Sequence, residues 1–168
     1  KDFFGDGALN KHIPKLLIDT MDKECRYGII KGLWSGDGCY KSTKYENKTK
    51  YSTINLNLAH QIQMILSKEN VYSSISQRIH KNHNWHNEYA VIVSSGKNIK
   101  RLNEICDGKF EKGNVKNGTS RILQDNDYIY FPILEINTFN YDGKVYDLNV
   151  EEDHSYVINS AAVHNSGG

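Results

Sequence analysis

Proline is almost missing from this chain: Pro14 and Pro132 are the two in 168 residues, too few to mark a flexible spacer. Cysteine is scarce too. Cys25, Cys39 and Cys106 are odd in number, far apart and without a C-x-x-C pair, which argues against a disulfide framework and for reduced, packed thiols in a cytoplasmic setting. An excess of one charge is also lacking. Against 21 Lys and Arg stand 20 Asp and Glu, a net +1, so no global basic field advertises nucleic acid and any DNA-binding surface must come from local asymmetry. No apolar run approaches a membrane span, no signal-peptide-like stretch opens the sequence, and no internal repeat is visible. With 38% hydrophobic and 24% charged residues, the composition is globular, enough for one domain or two small ones.

What is present is concentrated at the two ends. Near the C-terminal end, strand-like segments carry Asp147 and His154, and a tail reads Val163-His164-Asn165-Ser166. Each of these residue types alone is most often structural, but together they are the parts for cutting a backbone bond. An asparagine amide can attack its own main-chain carbonyl, closing a succinimide and expelling the next residue. The reaction is slow in water because the amide is a poor nucleophile and the leaving amine needs a proton. Fixing Asn165 in an attack geometry makes it a positioned intramolecular step, and His164 or His154 can donate the proton or polarise the carbonyl. Ser166, a hydroxyl nucleophile, needs similar activation.

This segment, V-Y-D-L-x-V-x-x-x-H-S-Y-V followed by V-H-N and Ser, resembles the C-terminal splicing motifs of inteins over roughly residues 141–166. The resemblance implies that Asn165 is the terminal intein residue, His164 the penultimate histidine, His154 and Asp147 upstream splicing residues, and Ser166 the first residue of the flanking extein. Gly167 and Gly168 would then be a remnant of that flank or a tail. It also implies that the strands expected at 128–136, 145–150, 156–158 and 161–163, with a turn at Asn140-Tyr141-Asp142-Gly143, are the last strands of an all-β Hint fold. Splicing needs no cofactor.

Earlier in the chain, residues 1–14 read as a turn-rich lead-in broken by Gly5, Asp6 and Gly7. A helix is predicted from about Asp22, with Tyr27, Ile30, Leu33 and Trp34 on one face, ending at Gly36-Asp37-Gly38. Gly28, Gly32 and Gly36 recur every four residues. Such a bare stripe is a poor choice for a solvated helix, since each glycine costs about 1 kcal/mol against alanine, but it permits close approach of another helix with Asp37 at the foot of the pair. The stretch Ile30-Lys31-Gly32-Leu33-Trp34-Ser35-Gly36-Asp37-Gly38 resembles the LAGLIDADG helix of homing endonucleases, departing from it at Ser35, where an acidic residue is common. The lead-in F-F-G-D-G-A-L-N-K-H-I-P likewise resembles the segment before the second such helix in intein-borne enzymes. The resemblance implies that Asp37 holds a divalent metal, Mg2+ for example, and that the partner is double-stranded DNA.

The order that follows fits one such half-domain. A hairpin is predicted over 39–46 and 50–55 with its turn at Asn47-Lys48, then an amphipathic helix over 58–68 with Leu58, Ile62, Ile65 and Leu66 inward, strands over 71–79 and 89–95, and a helix over 99–105. Lys41, Lys44, Lys48, Lys50, Gln77, Arg78 and Lys81 are candidates for phosphate and base-edge contacts. His80, His83 and His86, spaced by three, lie in turn-like sequence without a companion Cys or carboxylate cluster, and read as a loop rather than a zinc site. Residues 107–127, rich in Gly, Asn and Lys, read as a linker.

An intein also needs an N-terminal Cys or Ser and a T-x-x-H motif. Residue 1 is lysine and no Thr here has a His three residues on. The strands expected after residue 128 cannot close a Hint fold alone and would leave edges unpaired. The expectation is therefore an α+β chain: a LAGLIDADG-type α/β half-domain over 1–106, a linker over 107–127, the C-terminal part of a Hint domain over 128–165, and an extein remnant at 166–168. Its expected function is trans-splicing with a complementary N-terminal intein fragment. Two other readings compete: a DNA-binding or DNA-cutting LAGLIDADG module with an incidental tail, and another Hint-type autoprocessing domain or a non-catalytic binding module, against which the His-Asn-Ser ending speaks.

Overall fold

The computed structural model describes residues 4–42, 47–81, 85–94, 96–109, 123–125, 128–130, 132–133, 135–158 and 161–165. The chain separates into two compact units, Lys1–Ser120 and Arg121–Gly168.

In the first unit, α1 (Gly7–Asn10), α2 (Lys15–Thr20), α3 (Lys23–Asp37), β1 (Gly38–Ser42), β2 (Asn47–Thr53), α4 (Leu56–Lys68), β3 (Ser74–Arg78), β4 (Glu88–Val93) and α5 (Gly96–Ile105) follow one another. The strands form one antiparallel sheet in the order β1-β2-β4-β3. One face carries Thr49, Tyr51, Val91 and Val93, all buried against the helices.

The long helices begin and end where side-chain chemistry dictates. At the start of α3 the Asp22 carboxylate accepts the Cys25 N–H at 2.8 Å, and Ile30 and Trp34, one turn apart, are buried in the core. Asn55 caps α4 in the same way and also donates to the carbonyls of Leu9 and Lys11, tying α1 down. All four residues expected inward on α4, Leu58, Ile62, Ile65 and Leu66, are buried. The helix closes on Asn70 at φ 57, with Val71 N–H on the Leu66 carbonyl and Asn70 N–H on that of Ser67, the left-handed cap that asparagine tolerates. Glu69, 4% exposed, is held by Arg26 and by Arg101, whose guanidinium also donates to the Tyr27 hydroxyl. This network ties α3, the end of α4 and α5 together.

Three details differ from the sequence-based expectations. The lead-in contains a short helix, α1, and a second, α2, follows it, beginning where the Pro14 carbonyl accepts from Leu17 and Ile18. Asn47 and Lys48 are not a turn but the first residues of β2, paired with Ser42 and Lys41; the connection, with Lys44 and Tyr45, lies outside the described residues. The strand series expected over 128–150 is largely unformed. In the second unit, β5 (Leu123–Gln124) pairs with β6 (Ile129–Tyr130), and β7 (Ser155–Ile158) with β8 (Ala161–His164). The described residues between 132 and 150 carry no strand. Their alternating apolar residues have nothing to pair with, and Phe139, Val145 and Tyr146 stand 80–88% exposed.

The glycines of α3 make a test of this packing. A Cβ on Gly28, Gly32 or Gly36 would meet nothing within 4 Å, whereas one on Gly38 would lie 2.4 Å from the Trp34 carbonyl oxygen. Gly32→Ala is therefore expected to stabilise the chain by about 1 kcal/mol, and Gly38→Ala to destabilise it by about 1–3 kcal/mol through overpacking. Urea unfolding followed by circular dichroism measures both, and equal signs for the two would contradict the placement of this helix.

The thiols give a second. Cys39 and Cys25 are exposed and Cys106 is buried. The Asp22 carboxylate, which accepts from the Cys25 thiol and repels its thiolate, pushes Cys25 up, and burial followed by the Asp107 charge pushes Cys106 up to about 11. Iodoacetamide at pH 8 should modify Cys39 first, Cys25 more slowly and Cys106 last, as read by peptide mass mapping. The sign for stability follows from the raised Cys106 thiol. Its contribution is complete below the unfolded value near 9 and is lost as pH rises towards 11, so Cys106→Ala should flatten the fall in stability above pH 9.

Candidate functional site

In the second unit the sequence from Glu151 to Asn165 folds back on itself. β7 and β8 start from the pair Ser155↔His164, so the residues just outside the ladder, His154 and Asn165, are brought side by side. The Asn165 N–H donates to the His154 carbonyl at 2.8 Å. The Asn165 carbonyl oxygen lies 2.8 Å from Nδ1 of His164, and the His154 and His164 rings are 6.0 Å apart between centroids. Asn165 is 7% exposed, and its Oδ1 is buried without a hydrogen-bond partner among the described residues. Three of the expected site residues are thus brought together, with His164 at the Asn165 carbonyl and His154 at its N–H.

Chemically, this arrangement can polarise that carbonyl. An Nδ1–H placed on a carbonyl oxygen strengthens its bond as negative charge develops there, so it favours attack at the carbonyl carbon. Asn165 itself is buried, while the His154 and His164 side chains are exposed. Asp147 sits elsewhere in the unit, in the exposed stretch without strands, where its Oδ1 accepts the Leu148 N–H at 2.9 Å. Ser166 lies outside the described residues.

Asp37 belongs to the first unit, as the exposed last residue of α3. Two depressions meet at it. One, of about 400 Å3, runs along the glycine stripe between Ile13, Ile29, Leu33 and Leu58. The other, about 890 Å3 and open, is lined by Tyr51, Arg78, His80, His86 and Glu88. Burial, then the Asp37 charge, raises the Tyr51 hydroxyl, a neighbour across the hairpin that spacing alone does not place beside Asp37. Glu88 is lowered by the Ser52 hydroxyl and by the Lys50 and Arg78 cations, against the effect of burial. Among the described residues no three His, Cys, Asp or Glu side chains come together in a way that could hold a metal ion. Asp37 contributes one carboxylate there. His80 stacks near Trp85, ring centroids 5.3 Å apart, in the connection between β3 and β4, and His83 lies outside the described residues.

The outward face of the sheet is set by register. Lys41↔Lys48, Cys39↔Lys50↔Ile92↔Ser74 and Glu88↔Arg78 form its rows, so Lys41, Lys48, Lys50 and Arg78 share one face with a single facing acid on the strands, Glu88, 3.5 Å from Lys50. Gln77 departs from the expected set, because it pairs with Tyr89 in a row of the helix-covered side. Lys81 is exposed beyond the end of β3.

Helices packed on one face of a four-stranded antiparallel sheet, with an acidic residue closing a glycine-striped helix, define a LAGLIDADG-like unit. Residues 24–107 match the family model of the LAGLIDADG-like domain, and the chain belongs to that family. It is also similar over its whole length to parts of much longer proteins. An ATP-dependent DNA helicase of Thermococcus kodakarensis is 32% identical over 173 residues, 100% of this chain and 15% of the helicase. A DNA polymerase of Thermococcus sp. is 26% identical over 177 residues, 99% of this chain and 10% of the polymerase. An uncharacterized protein of Methanocaldococcus jannaschii is 28% identical over 183 residues, 98% of this chain and 21% of that protein. The chain therefore spans between a tenth and about a fifth of the relatives it matches. No helix among the described residues is long and apolar enough to cross a membrane.

Proposed function

We propose that this chain is the C-terminal part of a protein-splicing element that cuts the peptide bond after Asn165 and, with a separately supplied N-terminal intein segment, joins the two flanking sequences. The observation that carries the reading is the His164 Nδ1 atom 2.8 Å from the Asn165 carbonyl oxygen. In the proposed step, Nδ2 of Asn165 attacks its own carbonyl carbon while His164 donates to the developing oxyanion. The bond to the Ser166 nitrogen then breaks, that nitrogen takes a proton to leave as an amine, and Asn165 remains as a succinimide. Beforehand the first residue of the N-terminal segment forms a thioester or ester, and the Ser166 hydroxyl takes over its acyl group. An acyl shift from that oxygen to the freed Ser166 nitrogen gives the final peptide bond. His154 is the neighbouring proton donor, and Asp147 orients a histidine or the incoming nucleophile once the N-terminal segment has folded against its stretch.

Two further observations support this reading. A helicase and a polymerase perform different chemistry, yet the same stretch of about 170 residues matches a small part of each, as expected for a segment inserted into unrelated hosts. The exposed apolar residues of the second unit, Ile133, Ile136, Phe139, Val145 and Tyr146 among them, form a surface that a complementary segment would bury, with strand edges to pair.

A second reading, DNA binding by the first unit, is favoured by the face that gathers Lys41, Lys48, Lys50 and Arg78 and by the family match. There the open glycine stripe receives a second helix of the same kind, which brings the further carboxylate that Asp37 lacks for a divalent ion.

The test is intact mass spectrometry of the chain with a reporter fused after Gly168, mixed at neutral pH with an N-terminal intein segment that opens on Cys or Ser and contains T-x-x-H. A ligated product of the two flanks and a freed fragment ending in succinimide are expected. An unchanged mass with the segment bound would remove the splicing reading, and Mg2+-dependent binding of a specific duplex by the same sample would put the second in its place. Asp37→Ala should leave ligation intact.

A further inference from the structure

Resting on the splicing reading above, we infer that His154 is a positioning residue through its main chain: its left-handed backbone holds the Asn165 N–H while leaving the Asn165 carbonyl free for His164. His154 has φ 50, and Glu152, two residues before it, has φ 68. Non-glycine residues adopt this region uncommonly, histidine more readily than glutamate. Such conformations persist where the surroundings over-determine them, and they cluster at working sites.

The ladder explains what this one does. From the pair Ser155↔His164, a regular antiparallel ladder would next place His154 opposite Asn165, with reciprocal bonds where that pair is a hydrogen-bonded one. One of these is made, Asn165 N–H to the His154 carbonyl at 2.8 Å. The reciprocal bond, His154 N–H to the Asn165 carbonyl, is not made among the described residues, and that carbonyl oxygen instead faces Nδ1 of His164 at 2.8 Å. A left-handed residue at position 154 turns its own N–H out of the ladder while its carbonyl stays in it. The half-closed pair therefore clamps Asn165 from its nitrogen side and reserves its oxygen for the imidazole. A β-conformation at 154 would tend to cap the carbonyl with a static N–H and pull it from His164.

The test compares four variants of the full chain, each lacking the imidazole: His154→Gly, His154→Asn, His154→Ala and His154→Val. Release of a reporter after Gly168 is followed by mass spectrometry in the presence of the N-terminal segment. All four lack the imidazole, and the Gly and Ala pair, which add no polar group, reads the backbone most directly. Gly and Asn accept a left-handed φ, Ala less so and β-branched Val least. The expected order is Gly and Asn fastest, Ala slower, and Val slowest by about 100-fold, the scale of a misplaced reacting group. The Gly and Ala pair keeps the test sharp even if Val fails to fold. A merely structural role favours Ala, because glycine loosens the hairpin, whereas the clamp favours Gly. Equal rates for all four, or Ala faster than Gly, would overturn the inference while leaving splicing intact. No succinimide at Asn165 in the unaltered chain would instead overturn the splicing reading, and this inference with it.

Discussion

Replacing Asn165 with alanine is expected, on the splicing proposal, to abolish release of whatever follows residue 165, because it removes the proposed nucleophile and leaves no route to a succinimide. The variant should still bind the N-terminal segment and take up its acyl group on Ser166, so a branched intermediate accumulates in place of ligated product. His164→Ala should act differently. The proposed nucleophile remains, but the ring nitrogen 2.8 Å from the Asn165 carbonyl oxygen is gone, and losing one oxyanion donor slows comparable reactions by about 100- to 1,000-fold. Mass spectrometry over time separates the two cases: no succinimide for the asparagine variant, slow succinimide for the histidine variant. Release from Asn165→Ala at the unaltered rate would show that the bond is cut by other chemistry.

The second large effect is on stability and falls in the other unit. Trp34 is 2% exposed, stands with its ring 6.1 Å from that of Tyr51, and donates from its indole to the Thr49 hydroxyl at 2.8 Å. That hydroxyl in turn donates to the Cys39 carbonyl at 3.1 Å. The chain Trp34, Thr49, Cys39 thus ties α3 to both strands of the first hairpin. Trp34→Ala removes a large buried ring and is expected to cost about 4 kcal/mol, a drop in Tm of roughly 15 °C for a unit of this size. Trp34→Phe keeps most of the volume and loses the hydrogen bond, so about 1–2 kcal/mol is expected. Trp85, the other tryptophan, is 64% exposed, so blue-shifted emission should vanish with Trp34. A cost below about 1 kcal/mol for the alanine variant would mean that this ring does not fill the core.

The sequence was most legible where one side chain acts on its own helix. Asp22 as a cap, Ile30 and Trp34 on one face of α3, and the inward residues of α4 follow from spacing and capping chemistry alone. The start of β2 was missed because Asn47 and Lys48 look like turn residues; polar side chains on the outward face of a sheet carry no signal that separates them from a turn. Gln77 was misplaced for a related reason. Its side of the sheet depends on the register with Tyr89, which the residue itself does not encode. Residues 128–136 and 145–150 read as strands, but a strand also needs a neighbour, and among the described residues from 132 to 150 none is paired. Around Asn165 the residue types are readable, while the left-handed turn at His154 is not, since histidine enters that region more readily than most side chains but far more often lies outside it.

The open stripe on α3 also sets a direction for mutational drift. Each of Gly28, Gly32 and Gly36 is a single substitution from alanine, and at each the added methyl meets nothing within 4 Å. Filling all three would stabilise the helix by about 2–3 kcal/mol. A lineage that had stopped using this face would gain stability with every such step, and few later changes would restore the glycines. The bare face is therefore the part of the molecule that disuse erases first, and a lapsed descendant of this chain would be recognised by alanines along α3 before any loss at Asp37.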